Sequence, residues 1–410
     1  MEKMNFKSTI QEKVSQMRYP TRQSESWKYT STQKIQEQNF QNFELDTALS
    51  EKELELLSQM KVDGFDHLVI LNGRIQLSLS QLSQPSWIVA FGASDYEEIL
   101  KESEKSKNIF EFQNYLYAQM SKIQIPKNGF LQSPLQIIHM TSEAAIGHST
   151  HNYLKIEMGE FSKLVVLQTY IASNQATYLQ NNHTVFNVQK SANLEFIRAE
   201  IDSAKAFHLG RTQVFLQEYS QLEALSVTLK AQLSRHEFQV HLCGEYANAK
   251  VYGLYLTAQS QHADHQTWIN HKVGNCDTDQ LYKGILADQS RAIFDGLVYI
   301  HPQAQKANSA QLNNNLLLSS KAEIDTKPQL EIFADDVKAS HGSTVGQLSE
   351  EEVFYFMSRA ISRADALNML SLGYASEVVY KITNTEIQNW LLPMILKHLK
   401  ENQFAEVLKK

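Results

Sequence analysis

Three textures of apolar and polar positions succeed one another along the chain. Up to about residue 120, helical and strand patterns are mixed. Phe6–Met17 and Ile109–Met120 carry apolar residues at helical spacing. Ser50 with Glu53 makes a capping box that opens a helix over Glu51–Met60, hydroxyl and carboxylate each satisfying an orphan amide. The apolar runs His67–Asn72 and Trp87–Phe91 predict strands. From about 130 to 345, short runs of Val, Ile, Leu, Tyr and Phe alternate with small polar breaks, and helical periodicity nearly vanishes. After Gly346 it returns. Ser349 with Glu352 and Ser362 with Asp365 each cap an apolar-periodic stretch. A third helix is predicted from Thr383–Glu386 to about Glu406, kinked at Pro393, which lacks the amide for the preceding turn.

The breaks in the middle zone recur in related form. Ser162-Lys163-Leu164 leads into VVLQTYI, Ala192-Asn193-Leu194 into EFIRAEI, Ser220-Gln221-Leu222 into EALSVTL, and Ala247-Asn248-Ala249 into KVYGLYL. Their third residues lie 30, 28 and 27 apart. A weaker echo, Ser290-Arg291-Ala292 before IFDGLVYI, follows after 43 residues, a step that predicts an inserted loop or an extra coil. Periods of about 20–50 residues indicate solenoids or propellers, because one repeat cannot bury its apolar face alone. A propeller blade needs about 40–45 residues, and no helix large enough for a crossover separates these strands. The pattern therefore predicts a mainly β core, a β-solenoid over 126–346. It is flanked by a mostly helical N-terminal α/β region, 1–125, and a helical domain, 347–410. An irregular β-sandwich is the alternative.

Composition narrows the chemistry. An apolar fraction of 42 % supports a large core, and a net charge of −7 argues against nucleic acid or an anionic membrane as partner. Cys243 and Cys276 are the two cysteines, too few for a disulfide framework or for a cluster held by four thiolates of this chain. No apolar stretch approaches the roughly 18 residues of a membrane span. The opening MEKMNFKSTIQEKVSQM carries acids and lacks an apolar run, so cytoplasm is the expectation. GxxxxGK[ST], GxGxxG after a strand, HExxH and GxSxG are all missing, which predicts no ATP binding by a phosphate loop and no common catalytic class.

The densest polar constellation is Phe333–Gly346. If extended, it places Asp335, Val337, Ala339 and His341 on one face and Asp336, Lys338 and Ser340 on the other. His341 is then either a metal or cluster ligand, or part of a stretch that closes the solenoid and bonds local backbone. Asp335 and Asp336 are candidate carboxylates for a β-helix carbohydrate-active enzyme, although adjacent strand residues diverge and cannot easily flank one bond. His262 and His265, with His271 and Cys276 downstream, could chelate iron as in a carrier, or form a solvent-facing loop. In Glu25-Ser26-Trp27-Lys28-Tyr29-Thr30, Trp27 and Tyr29 are candidate anchors of the first helix.

Together these segments resemble the SufB/SufD family of iron–sulfur cluster assembly proteins. The resemblance is carried by PTRQSESWKYT, by Cys276–Gly284, Phe294-Asp-Gly296 and Gln311–Ser319, and by Pro328–Ile332, the ADDVKASHGSTVGQ run and Phe354–Arg359. Length and the WKYT segment favour the SufD branch over the longer SufB. The resemblance implies a right-handed parallel β-helix and a scaffold without enzymatic activity of its own. It implies pairing with SufB through the β-helix cores, or a homodimer as the alternative assembly. It also implies docking of the ATPase SufC on the C-terminal helices, with Phe354, Tyr355, Arg359, Leu367, Leu370 and Tyr374 as candidate contacts. Val353, Phe356 and Leu372 share the same apolar stripes, most of which an amphipathic helix buries internally. Nascent clusters would form at the SufB interface near His341, as transient cargo, and a flavin belongs to the expectations for the assembled complex. Family members often carry cysteine two residues before that histidine. This chain has Ala339 there, so thiolates would come from SufB.

Overall fold

The computed structural model describes residues 2–402, apart from 46–47, 105, 107 and 174–175. Sixteen strands, from Gln119–Ile125 to Lys338–Gly346, alternate between two parallel sheets, two to a coil, giving eight coils of a β-solenoid. Inward positions alternate with outward ones along each strand. In Asn193–Ile201, Leu194 and Phe196 join the core between the sheets, whereas Ile197 and Ala199 face outward into a second apolar cluster. Short strands close the N-terminal end. Asp66–Leu71 pairs parallel with Leu135–Thr141, and Ile88–Ala90 pairs antiparallel with Gln119–Ile125.

The sequence repeat is the coil. Leu164, Leu194, Leu222 and Ala249 are register partners in one column, which continues through Thr278 and Ser309 to Ala339. Ala292 lies in the opposite sheet, paired with Ala263 and Ile324. The 43-residue step is therefore one coil plus a crossing to the other sheet, with no inserted loop. The small polar breaks are corners. At six successive coils the chain turns on a residue with φ between 54° and 60°: Phe161, Ser191, Tyr219, Tyr246, Asn275 and Lys306. Each corner residue for which a bond is recorded, such as Tyr219 to Glu245, donates its amide to a carbonyl one coil on.

Among the described residues, eight α-helices flank the solenoid: α1 (Glu2–Gln16), α2 (Gln33–Gln38), α3 (Glu51–Met60), α4 (Ala93–Ser103), α5 (Ile109–Tyr117), α6 (Glu350–Met357), α7 (Arg363–Val379) and α8 (Thr385–Glu401). The capping box of α3 forms as predicted, and Ser349 and Ser362 accept amides of α6 and α7. The α5 stretch ends three residues early because Gln119 already belongs to the first coil, which also moves the solenoid's start ahead of residue 126. Helix α8 continues through Pro393; the rest of the stretch predicted to reach Glu406, from 403 on, lies outside the described residues.

Outward-facing Leu225, Val227, Leu254, Leu256 and Ile285 pack against Val378 and Val379 of α7 and Ile387, Leu391, Ile395 and Leu399 of α8. These helices are fastened to the sheet rather than hung from its end. On the other face, Trp27 is buried under the Arg235 guanidinium, 4.2 Å from its ring centre, and Thr30 donates to Asp264. Thus the WKYT segment clamps onto the solenoid, with Trp27 also against Phe110 of α5.

Candidate functional site at the open end of the solenoid

Among the described residues, the N-terminal end is covered by the short strands and the C-terminal end is not. Glu323–Ile332 and Lys338–Gly346 are the last strands of their sheets, and each leaves an unpaired edge. Such an edge presents free amides and carbonyls and is a template for pairing. Ile332, Phe333, Leu312 and Val345 stand exposed around it.

His341 sits on this last rung. Its register column runs Val166, Phe196, Ala224, Val251, Gln280, Gln311, His341, all inward positions. His341 therefore faces the solenoid axis yet is exposed, because no coil stacks above it. Of the 14 histidines, it is the one in the exposed class. Beneath it Gln311 donates to Gln280, leaving the Gln311 carbonyl oxygen without a protein partner. Ala339, two residues before, also faces inward and is half-buried over Ser309. The Ala339/His341 and Lys338/Ser340 faces match the alternation, but Asp335 and Asp336 lie in the bend before the strand, both exposed. The Asp336 carbonyl accepts the Lys306 amide and its own amide donates to Gln305, so this bend is a corner fastened to the previous coil.

The C-terminal candidates divide. Phe354 (72 % exposed), Tyr355 and Arg359 form an open patch on and just after α6, with Arg359 3.7 Å over the Tyr355 ring and Met357 beside them. Leu367 does not belong to it. It is 1 % exposed, packed with Val353 and Ala366 in the α6–α7 core, so it holds α6 in place and cannot reach a partner. Leu370 is partly buried against the same core, and Tyr374 is turned to the solenoid, its ring 4.0 Å from the Lys283 ammonium.

His262 and His265 are not a chelating pair or a loop. Both lie on the strand His262–His271, and their odd spacing sends them to opposite faces. His262 is hydrogen-bonded to Thr30 outside, while His265 is buried inside against Tyr255 and Tyr282. Cys276 is buried, and burial pushes its thiol up to about 11.

The interior also holds a polar network outside the sequence-based expectations. Ligand atoms of Glu200, Asp202 and His208 lie within 4.8 Å of one another, all fully buried. Arg198 already occupies the cation's place, its Nη2 donating at 2.8 Å to both Glu200 and His208 Nε2. That acceptor role puts the His208 proton on Nδ1, which donates to Asp202; Tyr178 donates to the same carboxylate. Burial drives His208 down to about 3 and Asp202 up to about 7. The signal was present in EFIRAEI, where Arg198 and Glu200 follow Phe196 at inward spacing.

The described residues thus form a coiled parallel wall with one uncapped end and a histidine on its last rung. The family model for the SUF system FeS cluster assembly SufBD core domain matches residues 139–374, and the chain belongs to that family. It is 28 % identical to the iron–sulfur cluster assembly protein SufD of Escherichia coli over 93 % of this chain and 89 % of that protein. It is 29 % identical to an iron–sulfur cluster assembly SufBD family protein of Synechocystis sp., over 92 % and 87 %. No helix among the described residues is long and apolar enough to cross a membrane.

Proposed function

We propose that this chain is the SufD-type, non-ATPase subunit of a SufB–SufC–SufD complex and that its open coil end is the surface that meets SufB. The observation that carries this reading is the uncovered pair of edge strands with inward-facing His341 on the last rung. A second solenoid can continue both ladders through main-chain hydrogen bonds, with the exposed Ile332, Phe333 and Val345 supplying apolar contact. His341 then lies at the joint, where its imidazole can hold iron or a nascent cluster as cargo beside thiolates from SufB. Ala339 offers no thiolate, so the chain alone is a poor cluster ligand.

SufC, in this reading, engages the exposed Phe354–Tyr355–Arg359 patch. The firm seat of α7 and α8 on the outer sheet lets motion at the patch act on the whole wall. The test is co-purification with SufB and SufC followed by anaerobic reconstitution. The parent and His341→Ala should assemble the same complex, with cluster yield reduced in the variant. An undiminished yield removes His341, and failure of the parent to capture SufB rejects the reading as a whole. A homodimer closing the same ends would show as a stable two-copy species that SufB cannot displace.

A further inference from the structure

Away from the open end, the WKYT segment, α5 and the outer face of the sheet that ends at Glu323–Ile332 border a recess of about 30 Å³ that opens into a groove of about 670 Å³. The two share Trp27, Asn108, Glu111, Arg211, Arg235 and Glu237, so the recess is the deep end of the groove. Two residues lining the deep end are almost wholly buried and carry acceptors without a protein partner. The Asn114 amide nitrogen donates to the carbonyls of Asn152 and Asn181, which fixes its Oδ1 as the free atom. His183 Nε2 lies 2.9 Å from the Gln213 side-chain oxygen and so carries the proton, leaving Nδ1 as a free acceptor. Burial holds this imidazole neutral, pushed down to about 3. The Glu111 carboxylate at the deep end is already paired with Arg211 and accepts the Tyr115 and Ser106 hydroxyls, and the Arg211 Nε beside it is a buried donor without a protein partner.

The groove outside is lined by five carboxylates, Glu25, Glu111, Glu237, Asp295 and Glu331, against three cations, Arg211, Arg235 and Lys327, a difference of two negative charges. Trp27 and Trp268 supply aromatic wall, the latter partly open to solvent. The two acceptors without donors, Asn114 Oδ1 and His183 Nδ1, call for a guest that donates. An alkylammonium group has three N–H donors and no acceptor, is close in size to the one water that about 30 Å³ can hold, and is attracted by aromatic faces. We infer that this groove binds a primary alkylammonium, with its head group against Asn114 and His183 and its alkyl chain along Trp27 toward the acidic mouth. The guest is either a free polyamine or the lysine side chain of a protein segment.

Titration of the full-length protein with spermidine, with an N-acetyl-lysine amide and with succinate, followed by calorimetry and tryptophan fluorescence, tests this. Saturable binding of an amine is expected, weakened by salt, with succinate inert. His183→Phe keeps the ring and removes the acceptor, and Glu331→Gln removes an exposed charge at the mouth. Each should weaken amine binding, the first by about tenfold, with thermal unfolding recorded to verify the fold. Tighter binding of spermidine identifies a free polyamine as the guest, and tighter binding of the lysine amide identifies a protein segment. Absence of saturable amine binding, preference for succinate, or unchanged affinity in both variants overturns the inference and leaves the deep end as a water site.

Discussion

A single residue's role here is set by the rung it occupies. His341 and Gln311 are register partners in one column, but Gln311 is covered by a later coil and His341 is not. His341→Ala should therefore leave stability within about 0.5 kcal/mol, as for an exposed position, while lowering cluster yield in reconstitution. A large loss of Tm would show instead that the histidine is structural. Gly253 presents the reverse case. A Cβ there would lie 2.1 Å from the Tyr282 ring, which itself is wedged beside His265 and Phe294. Gly253→Ala should cost about 1–3 kcal/mol, the usual range for overpacking a filled core, measurable by denaturant unfolding. An unchanged midpoint would contradict the packing. Arg198 lies beyond both. Its removal as Arg198→Met leaves Glu200 charged and buried without its cation, a loss of about 3–5 kcal/mol, and a variant as stable as the parent would sink that account.

At the scale of elements, α6 and α7 show why an apolar stripe is not by itself a docking face. Phe354 and Tyr355 point outward, whereas Val353 and Leu367 close the α6–α7 core. Phe354→Asp combined with Tyr355→Asp should abolish SufC capture while leaving Tm nearly unchanged. Retained capture at parental affinity would place SufC elsewhere. Deleting everything after Gly346 is a poor substitute, because it uncovers the Leu225, Leu254 and Ile285 face of the sheet and invites aggregation whatever the partner. The same elements show how much could be read in advance. Ser50 with Glu53, and Ser349 and Ser362 with their partners, are local hydrogen-bond patterns that the chain carries within four residues. Helix α4 carries a local signal of its own, the Gly92 amide donating to Asp95, whereas the docking of Trp27 under Arg235 depends on a surface distant in sequence.

Over the whole molecule, buried histidines make the fold acid-sensitive. Burial pushes His139, His151, His183, His208, His265 and His398 down to about 3, and His241, His262 and His271 to about 4. Each stays neutral in the fold but titrates at an ordinary value near 6.5 once unfolded. The stability they contribute is present above about pH 6.5 and is lost as pH falls toward their folded values. At about pH 5 the loss is roughly 2 kcal/mol per imidazole, so four of them consume about 8 of the 5–15 kcal/mol typical of a domain. Asp202 and Glu195, raised to about 7 by burial, act in the opposite sense, adding stability as pH falls, as do Glu102 and Asp295, also raised by burial, but these four stand against nine imidazoles. Tm should fall steeply between about pH 6.5 and 4.5. A flat Tm across that interval, followed by circular dichroism, would refute the assignment of neutral buried imidazoles.

The chain by itself determined what is periodic and local. The two-residue alternation, the recurring corners and the column from Leu164 to Ala249 specify stacked coils, since each coil is built from its own neighbouring residues. The helix starts were likewise written in their caps. Only the tertiary structure decided which sheet Ala292 joins, that His262 and His265 part company across a strand, that Leu367 is core, and that His341 is left uncovered. The physical reason is common to all four. Whether a side chain is buried depends on what stacks over it from a coil or helix tens of residues away, and no local pattern encodes where the stack ends.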